Sequence, residues 1–159
     1  MSAPYKYRAV ALGGTFDHIH KGHRKLLERA FETGEKVYIG LTSDEFVRNA
    51  GKKIQHPFEQ RKLQLQRFLE NNYSSRMYEI TKLESRFGPG IFTGEIEALV
   101  VSTETLPSVD SANSKRRELG LTDLKVEVVS MILADDGNRI SSTRIRRHEI
   151  DAEGHLLEK

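Results

Sequence analysis

The sequence predicts an α/β fold: an open, mostly parallel, five-stranded sheet with helices on both faces. Short apolar runs alternate with segments of helical periodicity along the whole chain. A glycine pair, Gly13-Gly14, stands at the first handover from one kind of segment to the other. The 159 residues suffice for one hydrophobic core and are too few for two. The strands are therefore expected to share one sheet in a single domain spanning 1–159, with room for fraying at 1–6 and 151–159.

The first strand candidate, Tyr7–Leu12, ends at Gly13-Gly14, and Leu26, Leu27, Ala30 and Phe31 then recur at helical spacing until Gly34. This reads as strand, glycine turn, helix. Lys36–Leu41 contains Val, Tyr and Ile and reads as the second strand, and Thr42-Ser43-Asp44 supplies caps for a short helix over Glu45–Ala50. Gly51-Lys52-Lys53 reads as a loop. Pro57 suits the first position of a helix that carries Leu63, Leu65, Phe68 and Leu69 as far as Asn71-Asn72. Further strands are expected at Arg76–Leu83, Glu97–Ser102 and Lys125–Ile132, the second of them the most buried, with a helix over Ala112–Leu119 that stops at Gly120. Asp135-Asp136-Gly137-Asn138 is a turn, and Ser141-Ser142-Thr143 opens a final helix that frays toward Lys159. Such alternation implies right-handed crossovers and a Rossmann-like sheet, with ligands at the carboxyl ends of the strands.

Composition removes several functions. Charged residues at 30% and apolar residues at 37% suit a soluble globular chain and argue against long disorder. With 25 basic and 23 acidic residues the net charge of +2 does not advertise a nucleic-acid partner. The densest basic run, Lys115-Arg116-Arg117, lacks interleaved aromatics and reads as a solvated helix face. The absence of cysteine excludes disulfides, thiolate metal sites and cysteine nucleophiles. No segment is apolar enough to span a membrane, and Met1–Tyr7 lacks the apolar stretch of a signal peptide, so a cytoplasmic location is expected.

Two motifs carry chemistry. In the first, Gly13 to His23 (GGTFDHIHKGH), the glycines permit close approach of a phosphate, and the N–H groups and positive end of the following helix favour an anion. His20 and His23, three residues apart, can face one bound group with Gly22 leaving room between them. A lone histidine is usually an ordinary surface or cap residue; three in six positions favour a donor cluster aimed at developing phosphate charge. A metal site of His18, His20 and His23 matches no recognised zinc spacing. In the second motif, Ile140 to Arg146 (ISSTRIR), hydroxyls and arginines gather at a helix start, which suits a triphosphate tail. Alone, this motif could be a helix cap with basic residues behind it; the pairing of the two is the signal.

Together, G-G-T-F-D-x-x-H-x-G-H and I-S-S-T-x-I-R resemble the nucleotidyltransferase α/β phosphodiesterase superfamily. Within it, the chain from about 7 to 150 is similar to the archaeal and eukaryotic type of phosphopantetheine adenylyltransferase. Gly13–Leu27, Glu97–Thr105, the Asn113 to Arg117 spacing before Leu119-Gly120-Leu121, Lys52-Lys53 and Pro57-Phe58-Glu59-Gln60-Arg61 carry that likeness. The stretch Glu84–Gly90 departs from it, since the family is expected to place an acidic residue and a proline earlier in this loop.

The resemblance implies a reaction of ATP with 4′-phosphopantetheine, giving dephospho-coenzyme A and pyrophosphate by direct in-line attack with Mg²⁺ bridged through the ATP phosphates and no protein ligand to the metal. It implies that Thr15 orients the attacking phosphate, His23 stabilises charge on the α-phosphate and His20 supports the ATP phosphates. Lys52 or Lys53, with Lys53 preferred, would hold the acceptor phosphate, with Arg61 on the acceptor side. Gly13, Gly14, Gly22, Ser141, Ser142, Thr143 and Arg146 would contact ATP, and Asn113 with Arg117 would help on the nucleotide side. Asp17 is expected to brace its own loop locally. The motifs also suit a nicotinamide mononucleotide adenylyltransferase, an FAD synthetase or a cytidylyltransferase, and phosphate cradling alone would suit a regulator that binds ATP without reacting it.

Overall fold

The computed structural model describes residues 5–85, 87–88 and 94–157. The elements are β1 (Tyr7–Gly14), α1 (Lys21–Thr33), β2 (Gly34–Thr42), α2 (Asp44–Asn49), α3 (Phe58–Tyr73), β3 (Met77–Leu83), β4 (Ala98–Ser102), α4 (Ser108–Glu118), β5 (Lys125–Val129) and α5 (Ser142–Arg146). The five strands pair in parallel in the order β3-β2-β1-β4-β5. The chain winds outward from β1 through β2 and β3, then returns to the other side of β1 for β4 and β5. Between β1 and β4 the connections diverge, and a crevice opens at the carboxyl ends of those two strands.

The period of two along each strand sorts side chains onto two faces. Val10 and Leu12 of β1 and Ala98 and Val100 of β4 meet Leu27, Ala30 and Phe31 of α1 and Leu65 and Leu69 of α3. Ala11, Leu99 and Val101 point the other way, toward Val109 and Ala112 of α4 and Leu124. Helices thus cover both faces. Leu27 is wholly buried, so its truncation to alanine is expected to cost about 2–5 kcal/mol. Four of the five residues of β4 are buried, as its unbroken apolar run foretells.

Several boundaries differ from expectation, each for a local reason. Gly13 and Gly14 are strand residues, in register with Gly40 and Leu41, rather than a turn. A Cβ on Gly14 would approach the Phe16 ring to 2.9 Å, so packing requires that glycine. Pro57 caps α3 rather than opening it. Helix α4 starts at Ser108, well before Ala112, directly after Pro107. Strand β5 stops at Val129 because the chain leaves the sheet and pairs Leu133 with Arg139 in an antiparallel bridge.

The last helix, α5, is a short turn, and the described chain after it is fastened to the body rather than frayed. His148, with φ +58°, takes the chain out of the helical path, and Ile150 is fully buried in a small cluster with Ala134 and Ile140. The segment that follows is fastened in two places: Gly154 O accepts from Asp135 N at 2.9 Å, and Ala152 O accepts from Lys21 N at 2.9 Å. Among the described residues, no helix is long and apolar enough to cross a membrane.

Candidate active site

Two adjoining clefts open at the carboxyl ends of β1 and β4. One, of about 780 Å³, is lined by His20, His23, Arg139, Arg146 and Arg147 among others. The other, of about 750 Å³, lies on the α4 face and is lined by Tyr38, Phe46, Leu83, Ile96 and Leu99 among others. Gly14, Thr15, Val47, Lys52 and Glu104 border both. Thr15, at the end of β1, therefore stands where the two spaces meet.

His20 is the N-cap of α1, and its Nδ1 accepts from Gly22 N at 3.1 Å and His23 N at 3.4 Å. His23 returns the bond: its Nδ1 accepts from His20 N at 3.3 Å. The rings stack with centroids 3.8 Å apart, and the Phe16 ring lies 4.6 Å from that of His23. Because each Nδ1 accepts, each neutral ring must carry its proton on Nε2. Burial holds the His20 pKa down to about 2, helped by the nearby His23, Arg24 and Arg139, and it holds His23 down to about 4. Both side chains are thus neutral N–H donors at neutral pH. Gly22 is needed for this packing, since a Cβ there would come within 2.9 Å of the His20 ring.

The arrangement corrects the expected role of the helix start. The first-turn amides of α1 are already satisfied: Lys21 N by Ala152 O, Gly22 N and His23 N by the His20 ring, and Arg24 N by His20 O. Donors to an anion at this point are imidazoles rather than backbone amides.

Thr15 Oγ1 accepts from Thr42 Oγ1 at 3.0 Å, which leaves its own hydroxyl proton to donate elsewhere. Its carbonyl is held by Arg61 Nη1 at 2.9 Å. Arg61 is wholly buried and also donates to Thr42 O, His56 O and Asp44 Oδ1. It borders neither cleft, so the expected acceptor contact is replaced by a brace beneath Thr15. Phe16, with φ +50°, occupies the left-handed region while its ring is 1% exposed, a strained turn maintained by burial.

The second motif docks directly on the first. Ser142 Oγ accepts from His18 N at 3.2 Å, Ser141 Oγ caps α5 through Arg144 N, and Thr143 Oγ1 accepts from Arg146 Nη2 at 3.0 Å. Arg146 Nη1 reaches Asp17 Oδ2 at 2.6 Å. Burial pushes the Asp17 pKa up, but hydrogen bonds from the Gln55 and His56 amides, the His56 ring and Arg146 outweigh it and hold the carboxyl below its ordinary value. Its bracing is long-range rather than local. Asp17, His18 and His56 are near enough to share a cation. The Arg146 guanidinium on the Asp17 carboxylate opposes one.

Asn113 and Arg117 are not brought to the site. Asn113 exchanges hydrogen bonds with the Leu124 backbone, and Arg117 pairs with Asp123 at the surface, because α4 turns that end toward the loop before β5. Lys52 borders both clefts and Lys53 only the first; Gly13 borders only the second and Gly22 only the first. Arg86, Pro89 and Gly90 of the divergent stretch lie outside the described residues. Glu104 and its ion-pair partner Arg139 also line the first cleft and escaped sequence reasoning. Arg147 lines it too, as a cation whose place near a helix start favours a bound anion.

The charges of the first cleft are uneven. Among the described residues, Lys52, Lys53, Arg139, Arg146 and Arg147 face only two carboxylates, Asp17 and Glu104, and each of these is already paired with an arginine. The space suits a multiply charged anion.

Residues 11–148 match the family model described as cytidylyltransferase-like. The phosphopantetheine adenylyltransferase of Methanothermobacter thermautotrophicus is 44% identical over 154 residues, covering 97% of this chain and 92% of the relative. The chain belongs to the phosphopantetheine adenylyltransferase family. That of Pyrococcus furiosus is 43% identical over 156 residues, 97% of this chain and 96% of the relative. Among solved structures, an Archaeoglobus fulgidus protein described as of unknown function superimposes with a TM-score of 0.69 at 36% identity, covering 76% of this chain and 88% of its own. Members of this family are nucleotidyltransferases, and the sheet order and paired motifs described above are this chain's version of that architecture.

Proposed function

We propose that the protein transfers the adenylyl group of ATP to the phosphate of 4′-phosphopantetheine. One observation carries this reading: a cation-lined cleft and a more apolar one of similar size meet at Thr15. A nucleotide in the first and a pantetheine arm in the second would bring their phosphates to one point.

An acceptor phosphate oxygen attacks the α-phosphorus in line, the bond to the β-phosphate oxygen breaks, and pyrophosphate leaves. The enzyme needs no nucleophile, so its task is to position the groups and stabilise charge. Thr15 donates its hydroxyl to the attacking phosphate. His23 and His20 donate from Nε2 to the α-phosphate oxygens as charge develops there. Lys52, at the shared border, holds the acceptor phosphate, with Lys53 turned to the nucleotide side. Arg146, Arg147 and the Ser141-Ser142-Thr143 cluster face the β- and γ-phosphates.

The paired state of Asp17 and Glu104 leaves neither free to ligate a metal, so Mg²⁺ arriving with ATP would be held by phosphate oxygens and water. Its contribution there is to neutralise charge on the leaving pyrophosphate.

The test is to incubate the protein with ATP, Mg²⁺ and, separately, 4′-phosphopantetheine, nicotinamide mononucleotide, flavin mononucleotide or no acceptor, with a parallel reaction of CTP and glycerol 3-phosphate. Pyrophosphate and dephospho-coenzyme A in the phosphopantetheine reaction alone are expected. Product from another pair would overturn the acceptor assignment, and ATP binding without any product would favour a regulator.

A further inference from the structure

We propose that Asp17 is a positioning residue for the transfer, setting both Arg146 on the nucleotide side and the loop that carries Lys52 and Lys53. The inference rests on the adenylyl-transfer reading and concerns a residue that touches neither substrate in it.

Asp17 is 1% exposed. Its Oδ2 takes Arg146 Nη1 at 2.6 Å and Gln55 N at 3.0 Å. Its Oδ1 takes His56 N at 3.0 Å and the His56 ring Nδ1 at 3.1 Å. Gln55 and His56 close the loop that Lys52 and Lys53 begin, whereas Arg146 comes from the far end of the chain. One carboxylate therefore joins three segments that sequence separates. A buried carboxylate cannot release its donors without being left uncompensated, so each donor is held firmly.

The framework continues beneath the site. His56 O accepts from Arg61 Nε at 2.9 Å, and the same guanidinium holds Thr15 O. Thr15, the lysine loop and Arg146 are thus referred to one connected set of bonds. A triphosphate that draws Arg146 toward itself competes with Asp17 for the same cation. Occupation of the nucleotide side is therefore felt at the Gln55 and His56 amides, at the base of the acceptor loop.

The test compares wild type, Asp17→Asn, Arg146→Gln and the double variant, with ATP binding measured calorimetrically without acceptor, KM measured for each substrate, and folding checked by thermal melting. Asp17→Asn is expected to weaken ATP binding and raise the acceptor KM, each about tenfold, while Arg146→Gln weakens ATP binding alone. The double variant should bind ATP no more weakly than Arg146→Gln, because both changes break one contact. Asp17→Asn values within about twofold of wild type for both substrates, or single effects on ATP that multiply in the double variant, would overturn the proposal.

If Asp17→Asn does not fold, the amide resonances of Gln55 and His56 serve instead. They should shift on ATP titration in wild type and stay still in Arg146→Gln at saturating ATP. Still resonances in wild type, or equal shifts in both proteins, would reject the coupling. A wild type that makes no dephospho-coenzyme A rejects the assigned reaction; intact turnover without the coupling rejects this inference alone.

Discussion

The Nδ1 atoms of His20 and His23 each accept the other residue's backbone N–H, at 3.4 and 3.3 Å. The cap of α1 and the donor pair of the cleft are consequently one structure, and the two histidines should fail differently. On the proposed mechanism His23→Ala removes an Nε2–H that acts in the transition state, so kcat is expected to fall by about a hundredfold with ATP affinity retained. Single-turnover rates at saturating substrate measure this, and an unchanged rate would remove His23 from the mechanism. His20→Ala also uncaps the helix and should lower stability by about 1 kcal/mol.

Acid should destabilise the protein before its carboxylates titrate. Burial lowers the folded-state pKa of His23 from 6.5 to about 4 and of His20 from 6.5 to about 2. Below pH 6.5 the unfolded chain takes up these protons and the folded one does not. Stability present above pH 6.5 is therefore lost as pH falls toward 4 for His23 and further for His20. Thermal melting should decline across this window, and the decline should be smaller in His23→Ala. Activity should show no acid limb near pH 6.5 from these rings, since they stay neutral in the folded enzyme.

The alternation of parallel strands and helices was readable because short apolar runs such as Ala9–Leu12 and Ala98–Val101 alternate with helical spacing, and parallel strands require intervening helices. The histidine motif was readable because its spacing is local. Asp17, Arg61 and Glu104 were not readable as to role. Their partners lie up to 129 residues away, and no local pattern announces which arginine will meet which carboxylate. Asn113 and Arg117 show the converse: the family likeness put them on the nucleotide side, and the orientation of α4 takes them from the cleft.

Arg61 should be the most stability-critical polar residue under the site. It is 0% exposed and donates to three carbonyls and to Asp44. Arg61→Ala leaves those acceptors unsatisfied, and a loss of about 3–5 kcal/mol is expected in urea denaturation. A loss under about 1 kcal/mol would mean that water replaces the guanidinium.

Lys52 and Lys53 should separate kinetically. Lys52 borders both clefts, and Lys53 borders only the cation-lined one. Lys52→Ala is expected to raise the phosphopantetheine KM about tenfold, and Lys53→Ala to leave it within about twofold. The reverse order would place the acceptor phosphate deeper in the first cleft.

Arg147 supplies the sharpest contrast among the arginines. Arg144 is engaged by Asp136 and Glu149, Arg146 by Asp17 and Thr143, and Arg139 by Glu104. Arg147 borders the same cleft, and among the described residues its guanidinium has no hydrogen-bond or ion-pair partner. A cation without a partner, beside others of its sign, is stabilised only when an anion arrives. Arg147→Gln should therefore raise the ATP KM about tenfold, the size of one charge-assisted hydrogen bond, with little change in the phosphopantetheine KM. Added salt should weaken ATP binding less in the variant than in wild type, because one screened contact has gone. Arg117→Gln, which removes a surface pair with Asp123, is the control and should change neither KM. If Arg147→Gln behaves like Arg117→Gln, the polyphosphate lies against Arg139 and Arg146 instead, and Glu104 must then release Arg139 when ATP binds.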